Sequence, residues 1–141
     1  MKVCPTNVLQ PAILESGLSG VWTPKFDTNV GYCEYECNLC GRVCPTSAIK
    51  NISVERKMGT RMGLAEIDQR ICLPWAKGTE CIVCEEHCPV AEKAIKLVEK
   101  KGKDGRVLKL PSVEPEFCVG CAICEFKCPV GPTKAIRVKP L

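Results

Sequence analysis

The chain has 141 residues, a formal net charge of +4 and a mean hydropathy of +0.01, with aromatic residues supplying only 5% of it. That is one domain or two very small modules, too poor in rings for a large core, and 13 cysteines call for a disulfide or metal staple in its place. No apolar run approaches the ~20 residues that cross a bilayer. Met1-Lys2-Val3-Cys4-Pro5 lacks the apolar stretch and cleavage site of an export signal, so the expectation is a cytoplasmic chain, or one that reaches a membrane through a partner.

In chain order, Cys4-Pro5-Thr6 reads as the closing end of a cysteine repeat whose front half is missing. Residues 11–18, apolar at Ala12, Ile13, Leu14 and Leu18, predict a short connecting helix. The first full motif is Cys33-x3-Cys37-x2-Cys40-x3-Cys44-Pro45, followed by β-prone pieces at 51–55 and 65–68 with Gly59 as a turn between them. The second, Cys72-x8-Cys81-x2-Cys84-x3-Cys88-Pro89, carries an insertion at 73–80 whose Trp75 is expected to pack over the cysteine loop. Strands at 96–99 and 106–110 around an Asp104-Gly105 turn lead to the third motif, Cys118-x2-Cys121-x2-Cys124-x3-Cys128-Pro129, and 137–139 predict a last edge strand. A helical turn is expected after each Cys-Pro, because proline is tolerated at the first helical position. The basic stretch Lys93, Lys96, Lys100, Lys101, Lys103, Arg106 and Lys109, interrupted by Glu99 and Asp104, reads as a solvated face.

Each copy closes with Cys-Pro and soon after reaches Ala-Ile, at Ala48-Ile49, Ala94-Ile95 and Ala135-Ile136. From each closing cysteine to the next opening one there are 28, 27 and 29 intervening residues, counted from Cys4, Cys44 and Cys88. Such a period marks duplicated units. The expected organisation is a truncated upstream repeat and connector at 1–31, a first motif unit at 32–68 and a two-motif unit at 69–141, of class α+β with short strands and short helices.

Disulfides suit this spacing badly: thiols crowded within a few residues, as at Cys118, Cys121 and Cys124, cannot all reach bridge geometry. Cys-x2-Cys-x2-Cys-x3-Cys-Pro is instead the run that holds [4Fe-4S] clusters, three thiolates on one loop while the fourth cysteine serves the neighbouring cluster. Gly120 lets backbone amides approach the sulfurs. Three such clusters would change the formal charge to about −2, so the positive sum is no sign of nucleic-acid binding. The competing readings are structural zinc and, for Cys33-x3-Cys37-x2-Cys40, a radical S-adenosylmethionine enzyme. Against the latter, Leu39 stands where that family has an aromatic residue, and the chain is too short for its barrel. His87 is expected to be a bystander to complete cysteine sets. With no Ser-His-Asp set and no phosphate-binding glycine loop, the chain reads as an electron carrier rather than an enzyme.

The crossing rule yields two ligand schemes. In the preferred one Cys72, Cys81 and Cys84 take Cys128, and Cys118, Cys121 and Cys124 take Cys88, while Cys33, Cys37 and Cys40 take Cys4 and Cys44 is spare. In the other, the first two motifs exchange Cys44 and Cys88, Cys4 completes the third, and Cys128 is spare. A free Cys4 at a frayed terminus is the plain alternative.

Gly31-Tyr32-Cys33-Glu34-Tyr35-Glu36-Cys37-Asn38-Leu39-Cys40 through Cys44-Pro45, Cys72-Leu73-Pro74-Trp75 and the unmodified third motif resemble the multi-cluster bacterial ferredoxins, or polyferredoxins. The similarity extends to the ferredoxin-type electron-transfer components of nitrate reductase and methylamine dehydrogenase systems. It covers residues 32–138 and implies a bacterial dicluster ferredoxin-like fold. It further implies electron relay between a membrane quinol or dehydrogenase component and a reductase.

Overall fold

The computed structural model describes residues 1–15, 17–101 and 105–141, so Lys103 and the Asp104 half of the expected turn lie outside the described residues. The chain forms two compact units, Met1–Thr60 and Arg61–Leu141. Among the described residues no helix is long and apolar enough to cross a membrane.

In the first unit β1 (Leu9–Pro11) pairs antiparallel with β2 (Pro24–Phe26), Leu9 opposite Phe26. Ala12 N–H donates to Thr23 O, Trp22 N–H to Ala12 O and Asp27 N–H to Val8 O, each at 2.8 Å, which lengthens the ribbon and buries Val8 and Ala12 beneath it. Among the described residues of 11–18 no α-helix is formed: β1 runs into the first of them, and Ile13, Leu14 and Leu18 are 67%, 65% and 86% exposed. An apolar period with nothing to bury against does not make a helix, and only a 3-10 turn forms, at Leu18–Gly20. Two short helices follow, α1 (Leu39–Arg42) and α2 (Val54–Met58).

The strand expected at 51–55 is not formed, because α2 begins within it. Ser53 caps that helix by accepting the Arg56 N–H at 3.3 Å, and Glu55, Arg56, Lys57 and Met58 are good helix formers. The cap and composition outweigh the β-branched Ile52 and Val54.

The second unit contains β3 (Gly63–Ile67), β4 (Ile95–Lys101), β5 (Val107–Val113) and β6 (Ile136–Pro140), with α3 (Leu73–Lys77), α4 (Val83–Glu86) and α5 (Ile123–Lys127). Its strands interleave: β3, before the second motif, pairs antiparallel with β6, after the third, and β4 pairs antiparallel with β5 between the two motifs. The internal duplication is visible in the hydrogen bonds. Asp68 N–H donates to Ala135 O at 2.8 Å and Glu114 N–H to Ala94 O at 2.7 Å, each donor four residues before its motif's first cysteine. Because β3 pairs with β6, residues 61–68 fold with the second unit.

The expected helices after Cys-Pro are also corrected. α1, α4 and α5 lie before Cys44, Cys88 and Cys128, and the chain after each proline runs in bends and turns. Residues 89–94 and 129–135 must return at once to strands at Ile95 and Ile136, which leaves no length for a helix. In the 73–80 insertion α3 does form, with Pro74 in its first turn and Gly78 closing it at φ 63°. The buried core of the second unit is small, Ala65, Ala94, Ile95, Ala135 and Ile136, and the cysteines Cys72, Cys118, Cys124 and Cys128 are part of it.

Candidate iron-sulfur sites

Interleaved strands have a direct consequence for the thiols of the second unit. One cavity is lined by Cys72, Cys81, Cys84 and Cys128, closed by apolar side chains including Ile67, Leu73, Val83, Pro111 and Ile136. A second is lined by Cys88, Cys118, Cys121 and Cys124, with Ala65, Val90, Ile95, Val119 and Val138 around them. Each cavity thus takes three thiols from one motif and the closing thiol from the other. The third motif's chain leaves Cys124, passes through α5 and reaches Cys128 at the first cavity before turning into β6, and the second motif does the reverse through α4 to Cys88.

Backbone approach shapes the second cavity. Gly120 has φ 75°, and a Cβ there would fall 2.6 Å from both the Cα and the carbonyl O of Gly63. Only glycine at 120 allows this contact, which is held by Met62 N–H donating to Val119 O at 2.9 Å, while a Cβ on Gly63 would instead fall 2.6 Å from Lys139 O on β6. The contact at Gly120 brings β3 close enough for Ala65 N–H to donate to Cys118 Sγ at 3.4 Å. The sequence marked Gly120 but not Gly63 or Ala65, whose roles exist only once β3 is laid against the third motif.

Three of these thiols, Cys72, Cys84 and Cys124, are electrostatically costly to ionise in place. Burial, with the neighbouring Cys72 and Cys81, pushes the Cys84 thiol up to about 12. Burial likewise raises Cys124, reinforced by Cys121, Cys118 and Cys84, and raises Cys72, reinforced by Cys81 and Cys128. Neighbouring thiols become thiolates together most readily around a group of compensating positive charge.

In the first unit Cys4 is tied to the opening of the first motif. Thr6 Oγ1 lies 3.4 Å from Cys4 Sγ and donates to Tyr32 O, and Gly31 packs against the Thr6 carbonyl. Burial raises the Cys33 thiol, Lys57 opposes the shift, and Cys40 and Cys4 add to it, so these three thiols share one neighbourhood. Lys57 is held there by donating to Tyr35 O at 2.9 Å and to Glu34 O; nothing in the sequence singled it out. Cys37 follows in the turn closed by its N–H on Glu34 O at 3.3 Å. Cys44 accepts the Ile49 N–H at 3.4 Å, which with the Thr46 hydroxyl holds its thiol below the usual value. It lines, with Cys40, a more open concavity that includes Met1, Leu9 and Trp22.

His87 is exposed, its Nδ1 3.0 Å from Val83 O one turn back. Trp75 is half-buried against the core, its Nε1–H donating to Pro111 O at 3.0 Å beside the first cavity. Among the described residues no three His, Cys, Asp or Glu side chains converge closely enough for a single metal ion. Four thiols spaced around an apolar cavity fit a cluster that binds one thiolate at each corner.

No family model matches the chain. No solved structure matches it. Among curated proteins it is similar to the ferredoxin-type protein NapG of Escherichia coli (strain K12), 39% identical over 145 residues that cover 100% of this chain and 61% of that protein. The methylamine utilization ferredoxin-type protein MauM of Methylophilus methylotrophus is 32% identical over 142 residues, 99% of this chain and 61% of MauM. An uncharacterized ferredoxin of Methanocaldococcus jannaschii is 32% identical over 74 residues, 52% of this chain and 92% of that protein. The chain therefore spans about 61% of the length of the NapG and MauM relatives.

Proposed function

The chain belongs to the ferredoxin-type proteins, and on that footing we propose that it holds three [4Fe-4S] clusters and relays single electrons between redox partners in a larger oxidoreductase system. The observation that carries this reading is the crosswise meeting of the second and third motifs, which sets four thiols around each of two apolar cavities. In the first unit, the tie from Thr6 to Tyr32 favours Cys4 as the fourth ligand to Cys33, Cys37 and Cys40, with Cys44 spare.

A [4Fe-4S] cluster bound at such a site supplies the uptake and release of one electron. The protein's part is to hold the ligands and tune their surroundings. Cys72, Cys81, Cys84 and Cys128 would give up their protons on loading, as would the thiols of the second cavity. Ile67, Leu73, Pro111 and Ile136 keep water from the first cavity, which shifts potential through burial. Ala65 N–H supplies a hydrogen bond to the Cys118 sulfur in the second. The partners proposed are redox proteins, among them a membrane quinol or dehydrogenase component.

Iron analysis of anaerobically prepared protein tests the proposal: about twelve irons per chain, and brown absorption that bleaches on reduction. About eight irons with zinc present would remove one site. A colourless zinc protein, or cleavage of S-adenosylmethionine by the isolated chain, would overturn the reading.

A further inference from the structure

Positive charge is concentrated in one place. Residues 93–109 hold seven of the chain's 20 Lys and Arg but only two of its 16 Asp and Glu, so the other 124 residues carry 13 against 14. These residues include most of the β4–β5 hairpin, and two of their lysines occupy particular positions on it. Lys96 and Lys100 are exposed and four residues apart on one face of β4, about 13 Å along the strand. Lys96 Nζ stands 5.2 Å from the centre of the Phe117 ring, and Lys100 Nζ stands 5.8 Å from that of the Trp75 ring.

Each ring belongs to a different thiol site. Phe117 directly precedes Cys118 of the second cavity. Trp75 follows Cys72 by three residues and bonds Pro111, which lines the first cavity. One strand face therefore sets a cation over an aromatic ring beside each cavity. Ring contacts restrain the two lysines, which lowers the entropy lost when they meet an anionic partner.

We propose that this face, Lys96 and Lys100 above Phe117 and Trp75, is the docking surface for an acidic redox protein that exchanges single electrons with the two thiol sites of the second unit. The proposal rests on the iron-sulfur reading of those sites. An acidic protein suits the face better than an anionic membrane. Both rings are half-buried beneath the lysines rather than projecting as interfacial anchors, and a lipid surface would gain nothing from cations placed beside two redox sites.

The test uses the iron-loaded chain with two oxidants that each take one electron, anionic ferricyanide and cationic hexaammineruthenium(III), and with poly-L-glutamate as a binding probe. Lys96→Glu with Lys100→Glu should slow oxidation by ferricyanide roughly tenfold at low salt, speed oxidation by the ruthenium complex, and weaken poly-L-glutamate binding by a similar factor. The differences should shrink once salt brings the screening length below ~10 Å. Arg137→Glu with Lys139→Glu, on β6, makes the same change in net charge and should have far less effect. Equal effects from the two pairs would overturn the proposal, as would binding to phosphatidylglycerol vesicles in preference to poly-L-glutamate. If the glutamate pair fails to load iron, Lys96→Gln with Lys100→Gln gives the same reading at half the charge change. Failure of the iron-sulfur reading shows separately, as a preparation with no absorption to bleach, while poly-L-glutamate binding still reports on the surface.

Discussion

Gly120→Ala perturbs the second cavity at a point where two separate costs can be resolved. The backbone there has φ 75°, a left-handed conformation that costs a residue with a Cβ about 1–2 kcal/mol. The new methyl would also overlap the amide nitrogen of Gly63 and sit 2.6 Å from its Cα and carbonyl O. Backbone atoms cannot rotate away, so β3 must withdraw. That withdrawal loosens Met62 N–H on Val119 O and Ala65 N–H on Cys118 Sγ, each worth about 1 kcal/mol. The sum, about 3–4 kcal/mol, is a large part of the ~5–15 kcal/mol that holds a domain folded. Gly105→Ala is the control, since Gly105 has φ 79° with nothing within 4 Å of the added Cβ, and it should lose only the conformational part. Urea unfolding of the iron-loaded variants, followed by visible absorption and iron release, measures both. The iron of Gly120→Ala should fall from about twelve toward about eight per chain, while Gly105→Ala keeps its full complement. If the two variants are equally stable and equally loaded, the close approach of Gly63 and Gly120 does not support the second cavity.

Three other changes bear on the sites. Cys128→Ser and Cys4→Ser should each cost about four irons and one EPR signal, and Cys44→Ser none; loss of a cluster from Cys44→Ser with none from Cys128→Ser would establish the opposite ligand scheme. Trp75→Ala removes a half-buried ring and its bond to Pro111, which lines the first cavity, so it should destabilise the second unit by about 3 kcal/mol and speed bleaching in air. Unchanged bleaching would mean that the ring shields nothing. Glu125→Ala deletes the carboxylate that accepts the Val138 N–H at 2.7 Å and holds β6 to α5, a loss of about 2 kcal/mol readable as a lower urea midpoint.

The cysteine triples, their order and the Ala-Ile that follows each closing proline are local features, and they were legible because a cluster loop needs its ligands within a few residues of one another. Short strands at 65–68, 96–99 and 137–139 were legible too, since alternation and β-branching act residue by residue. Elements that depend on what they pack against were not. Ile13, Leu14 and Leu18 have a helical period but no surface to cover, and residues 51–55 look β-prone until Ser53 caps α2. The turns after Cys88-Pro89 and Cys128-Pro129 have helical chemistry but must hand the chain back to a strand at once. Which closing thiol lies beside which triple was furthest beyond the sequence alone, where the crossing rule allowed two schemes. In the structure β3 lies beside β6 and β4 beside β5, and this pairing carries Cys128 to Cys72, Cys81 and Cys84 and carries Cys88 to Cys118, Cys121 and Cys124. Strand pairing joins residues up to 77 apart in the chain, as Gly63 with Pro140, and no local preference encodes such a distance.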